Sequence, residues 1–188
     1  MMSTRDILLL AYDAFGGIIC GKTKLQKKLD FISIMLGWDL GYGPHYYGPY
    51  SADVANSNQE LKSLGYVSES IASAGAYYDQ GFEVTRHDFL LTADARIILG
   101  AKKRRNAEAW TQIESAAARL KDAGDLSYLE LSIAAKAYFL LNENGSSART
   151  DELVKMARMF GWSVTEHDVT KAVEFLKRLG LATTAQPA

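Results

Sequence analysis

Four lysines crowd the stretch KTKLQKKLDF, at positions 22, 24, 27 and 28, and the nearest acid in the chain is Asp30. Cations at the start of a helix oppose its dipole, at a cost of a few tenths of a kcal/mol or more. A cluster placed against that cost can meet phosphate, the dominant partner in nucleic-acid binding. Lys22, Lys24, Lys27 and Lys28 are therefore candidate phosphate contacts, with a solvated helix face as the structural alternative. A second set follows in ANSNQELK. Asn56, Asn58 and Gln59 carry amides that can pair with adenine edges, and Lys62 adds a cation. Asp53 and Glu60 on the same segment would face phosphates badly. A third set is aromatic. In PHYYGPYSADV, residues 44–54, tyrosines 46, 47 and 50 stand among two prolines and a glycine. These rings and that of nearby Tyr42 can stack on bases or anchor a protein partner, with Tyr46 and Tyr50 as the outward candidates. The alternative is that they wedge between helices, with Tyr47 turned inward beside Pro49. Lys102 to Arg105, KKRR, is a further basic run at a helix join.

Catalytic and metal chemistry find little support. His45, His87 and His167 are scattered and fit no metal-ligand spacing. His87 and Asp88 are adjacent in an expected strand, which sends them to opposite faces. Nothing nearby activates Cys20, and its apolar setting, GIIC, reads as a buried thiol. Gly41-Tyr42-Gly43 lacks the spacing and following helix of a phosphate-binding loop. The expectation is a non-enzymatic binding protein with no cofactor and no metal.

The elements that must position these residues follow from caps and periodicity. Ser3 caps a first helix with Ile7, Leu8, Leu10, Ala11, Ala14 and Phe15 on one face, ended by Gly16-Gly17. Thr23 can cap a second, on which Leu25, Leu29, Ile32 and Leu36 recur at helical spacing before Gly37. Pro44 and Pro49 keep the next stretch out of helix. Ser51 offers an N-cap for a third helix, Ala52 to Leu64, with Val54, Leu61 and Leu64 inward. Extended chain follows at Tyr66-Val67, and Tyr77 to Leu91 is rich in aromatic and β-branched residues, with a bend at Gly81. Thr92 caps a fourth helix that continues or restarts through residues 106–123, where Trp110, Ile113, Ala117 and Leu120 share a face. Three more helices follow: Leu126 to Leu141, one capped by Thr150, and one capped by Thr165.

The segments KTKLQKKLDF at 22–31, YYGPYSADV at 46–54 and LKSLGYV at 61–67 resemble the Panacea-type, antitoxin-associated domain and related uncharacterised prokaryotic winged-helix proteins. Lys24, Leu25, Gln26 and Lys27, then Tyr47, Gly48, Pro49, Tyr50 and Ser51, carry the resemblance, and FLLTADA at 89–95 is similar to the strand-to-helix exit of such wings. It covers about the first hundred residues, and Tyr50-Ser51 after Gly-Pro is closer to the uncharacterised relatives. The resemblance implies a winged helix. That fold and Lys22 to Lys28 point to a DNA-binding transcriptional regulator, and the alternative is a protein-interaction module, such as an antitoxin or defence-system accessory, that binds a partner protein.

The chain has 188 residues, 48% hydrophobic and 23% charged, with a formal net charge of −1. That composition builds a core and excludes a chain-wide polycation. A single cysteine permits no intrachain disulfide, and no apolar run is long enough for a membrane span, so a cytoplasmic protein is expected. The expected fold is α+β, mostly α. A winged helix with a β-hairpin wing occupies 1–92, a linking helix 93–124, a three-helix, helix-turn-helix-like unit 125–182 and a flexible tail 183–188. The partner is DNA or a protein, with a homodimer through the linking helix, residues 106–123, as an option.

Overall fold

In the computed structural model, residues 2–72, 85–143 and 150–182 are described. The hairpin tip expected around Tyr77 and Gly81, the helix end at Asn144-Gly145 and the tail 183–188 lie outside them. The order is α1 (Thr4–Ala14), β1 (Ile18–Cys20), α2 (Lys22–Leu36), α3 (Ala52–Ser63), β2 (Val67–Ala72), β3 (Arg86–Leu91), α4 (Ala93–Arg105), α5 (Ala107–Ala123), α6 (Tyr128–Glu143), α7 (Thr150–Met159) and α8 (Glu166–Arg178). The chain is thus mostly helical, with one small antiparallel sheet in the order β1-β3-β2. β3 pairs on one side with β1, Ile19 opposite Phe89, and on the other with β2, Glu69 opposite Phe89.

Hydroxyl side chains cap several of the helices. Ser3, Ser51, Thr92 and Thr165 each accept a hydrogen bond from the backbone N–H three residues on. Thr165 forms a full capping box with Asp168. Thr23 does not cap: α2 begins at Lys22, two residues earlier than such a cap would allow, and Gly21 stands at its N-cap with no side-chain bond. The long linking helix breaks at Asn106, which closes α4 and opens α5.

One apolar core runs from α1 to α8. Leu8, Leu10 and Tyr12 of α1, Phe31 and Ile32 of α2, Phe89 of β3 and Leu176 of α8 are all buried. Phe31 meets Phe175 of α8 edge to face, with ring centres 5.5 Å apart, so the last helices share the core of the first ones. The apolar face of α5 is used up inside the chain. Ile113, Ala117 and Leu120 are buried, and α5 packs on α1 and α2. The residues that a homodimer through 106–123 could have used, Ile113, Ala117 and Leu120, thus face the chain's own core, while Trp110 is half-buried.

Candidate functional site: the aromatic tip and its buried clamp

The tip is a closed loop. Gly43 and Tyr50 exchange two backbone hydrogen bonds, at 3.1 and 2.9 Å, and Gly48 N–H donates to His45 O at 2.9 Å. The chain turns sharply at Gly48, whose φ of +88° is open to glycine and strained for other residues. His45, Tyr46 and Tyr47 form the end of this turn, and Tyr50 stands at its base. All are exposed, Tyr46 by 65%. Their rings touch each other: Tyr46 and Tyr47 edge to face at 4.9 Å, and His45 with Tyr50 at 5.2 Å. Tyr47 was expected inward with Pro49; Pro49 is buried, but Tyr47 is on the surface.

Beneath the tip the loop backbone is held by side chains from two helices. Gln26 makes a two-way bond with Ser51, donating Nε2–H to the carbonyl and accepting the N–H at Oε1, each at 3.0 Å. Lys27 Nζ donates to Pro49 O. From α6, Ser132 Oγ donates to Tyr47 O at 3.0 Å. Ser51 Oγ donates to Leu40 O while capping α3 through the Val54 N–H. Tyr42 OH donates to Gln26 O at 2.7 Å. Most of these groups satisfy backbone atoms of the loop, which has no regular ladder of its own.

This arrangement corrects the reading of the lysine cluster. Lys27 is buried and turned toward the loop, so it cannot meet phosphate. The reason is that α2 is covered nearly all round, by α5 and α6 as well as the sheet. Gln26, Lys27, Asp30 and Ser33, which look like its solvent face, are all buried. Burial lowers the pKa of Lys27 and raises that of Asp30, each toward its neutral form, and their mutual attraction opposes both shifts. Burial also brings Lys136 of α6 down to about 8. Asp30 Oδ2 has no hydrogen-bond partner among the described residues. The Lys136 side chain bridges the clamp to a second aromatic group. Its Cγ lies beside Gly48, and its ammonium sits 5.0 Å from the centre of the Trp162 ring, which stacks on Phe160.

The remaining cations are spent singly. Lys24 lies 3.7 Å from Asp125, and the Lys28 ammonium sits over the Phe15 ring at 4.4 Å, where burial lowers its pKa. Only Lys22 of the four is exposed. On α3, Asn56 and Gln59 are exposed as expected. Asn58 is not: it is buried and accepts a hydrogen bond from Tyr12 OH at 2.7 Å. Lys62 is ion-paired with Glu69, which also binds His87 Nδ1 at 2.6 Å. His87 and Asp88 do point apart, Asp88 pairing with Arg86 at 2.9 Å. Lys102 pairs with Asp6 at 2.7 Å, and Lys103 pairs with Asp13 beneath the face of Trp110. Cys20 is half-buried, and burial and neighbouring Asp88 raise its pKa, the opposite of an activated thiol. Among the described residues no group of three or more His, Cys, Asp or Glu side chains could hold a metal ion. No described helix is long and apolar enough to cross a membrane.

Sequence reasoning missed Gln26, Ser132 and Lys136 as partners of the loop. For Gln26 and Lys27 a signal existed: Asp30 and Ser33 continue their stripe at helical spacing, a polar ladder that can satisfy itself indoors. Ser132 and Lys136 had none, since only the chain path brings α6 to the loop.

No family model matches the chain. It is similar to the uncharacterized protein YwgA of Bacillus subtilis (strain 168), 30% identical over 87 residues, which make up 45% of this chain and 51% of that protein. The chain thus spans about half the length of that relative, whose name assigns it no activity.

Proposed function

We propose that the chain is a non-catalytic winged-helix binding protein of the cytoplasm whose partner is another protein, engaged through the tip formed by His45, Tyr46, Tyr47 and Tyr50. The observation that carries this reading is an exposed aromatic cluster on a backbone already fixed from below. Tyrosines are among the residues that dominate protein interfaces. Anchors held in one geometry before binding avoid the ordering cost that weakens flexible loops. The order α1-β1-α2-α3-β2-β3, with β3 central in the sheet, supports the winged-helix plan. Such a role accords with the antitoxin-associated domain that the first hundred residues resemble. Affinity purification from the native host, with half the sample treated with nuclease, tests the reading: a partner protein should be retained equally in both halves. Loss of all partners after nuclease would overturn it.

A second reading is a DNA-binding regulator. The same element order favours it, because it makes α3 the recognition helix, with Asn56 and Gln59 exposed on it and Lys22 exposed nearby. Against it stand the exposed acids Asp53 and Glu60, and the pairing or burial of Lys24, Lys27, Lys28 and Lys62 described above. Titration of duplex DNA at low salt separates the two readings, since phosphate-driven binding is strongest there.

A further inference from the structure

A second surface lies away from the aromatic tip, on different elements. α1, the end of α3 and α4 enclose an open groove of about 520 Å³. Its floor is apolar, with Leu9 and Leu61 buried at the bottom. Its lip carries Ile97, 77% exposed, and Leu64, 51% exposed, with Tyr66 and Ile98 half-buried between. α4 already seats Ala95 and Leu99 in the core, so Ile97 is a second apolar face on the same helix, one the fold leaves open to water. Exposed aliphatic side chains around an apolar floor mark an interaction surface.

The rim sets the charge of the occupant. Arg5, Lys102 and Arg105 line the groove against a single acid, Asp6. Lys102 takes up Asp6 at 2.7 Å, and Arg5 reaches Glu60 only at 3.4 Å. Arg105 forms no salt bridge among the described residues. The rim is therefore net positive. A second copy of the chain fits it poorly. Pairing this face with itself would set two net-positive rims against each other. The 13 residues of α4 span roughly 20 Å. That length suits about three turns of a helix laid alongside, with apolar anchors at i, i+3 or i+4, and i+7.

We infer that the α1–α3–α4 groove docks an amphipathic helix of a partner protein, with its apolar stripe on Leu64 and Ile97 and its acidic flank toward Arg105 and Arg5. This does not depend on the aromatic tip, and either surface can fail alone.

The test places the photo-crosslinking residue benzoylphenylalanine at position 97, or at exposed Glu114 as a control, in the full chain in the native host. Mass spectrometry then maps the crosslinked residue. The inference requires an adduct from position 97, absent from position 114, on a segment of another protein with a helical apolar stripe and flanking Asp or Glu. That segment, synthesised as a peptide, should bind the wild-type chain. Ile97→Asp should weaken it by about tenfold or more, and Arg105→Glu by about threefold to tenfold. Binding should also weaken as salt rises from about 50 to about 300 mM. Both side chains are exposed, so unchanged thermal melts would show that both variants still fold. An adduct on a second copy of the chain, an adduct on a segment lacking stripe or acids, or equal yield at 97 and 114 would overturn the inference. So would peptide affinity indifferent to Ile97→Asp.

Discussion

Replacing Gly48 with Ala tests whether the loop is truly clamped. A Cβ at that position would lie 3.1 Å from Lys136 Cγ, 3.3 Å from Lys27 Nζ and 3.4 Å from the Ser132 carbonyl oxygen. None can retreat cheaply. Lys27 Nζ is bound to Pro49 O, the Ser132 carbonyl is helix backbone, and Lys136 Cγ is near the root of its side chain. Gly16 is the matched control, with φ +87° against +88° and nothing within 4 Å of a built Cβ. Both variants bear the left-handed strain, about 1–2 kcal/mol, less about 0.4–1 kcal/mol from a stiffer unfolded chain. Gly48→Ala alone adds overpacking of about 1–3 kcal/mol. At roughly 2–4 °C per kcal/mol for a chain of this size, Gly48→Ala should melt about 2–12 °C below Gly16→Ala. Circular dichroism melts of the two variants and wild type decide. Equal losses in the two variants would show that the space around Gly48 is soft and the clamp is not rigid.

Three further outcomes follow from the same contacts. Tyr12→Phe strands buried Asn58 Oδ1 and should cost about 1–3 kcal/mol, read in urea unfolding; no change in the midpoint would refute the bond. Lys136 has a folded pKa of about 8 against 10.5 in the unfolded chain, so unfolding takes up a proton between those values. Stability should therefore rise with pH across that window, and Lys136→Met should flatten the rise and melt higher at neutral pH; an unaltered pH profile would contradict burial of the ammonium. Fluorescence anisotropy should find no tight duplex binding even at about 50 mM salt. Binding that steepens as salt falls would instead point to Lys22, Arg104 and Arg105.

The helices were legible because their caps and stops are local: Ser51 before Ala52 and Gly37 after Leu36 act within one turn. The start of α2 was not, because Gly21 takes the N-cap with a positive φ and Thr23 is already inside the helix. The aromatic stretch was legible as a break between helices, from its prolines. Its outward face was only half legible, since Tyr47 projects while its carbonyl is tied down to Ser132. The lysine cluster misled for a general reason. Charge at helical spacing marks a solvent face only when one face of the helix is covered, and α2 is covered by the sheet, α5, α6 and the loop together. Around Lys27 the only local trace of those remote neighbours is the polar stripe continued by Asp30 and Ser33. Asn58 misled in the same way, its partner Tyr12 lying 46 positions away.

The central claim is that the rigid aromatic tip binds a protein. The most direct measurement compares wild type with a Tyr46→Ala/Tyr50→Ala variant in nuclease-treated affinity purification from the native host. Both side chains are exposed, so the variant should melt within a few degrees of wild type. The account predicts a partner protein that wild type retains and the variant loses by about tenfold or more. Equal recovery by both proteins would contradict it, and so would a partner that disappears with the nucleic acid.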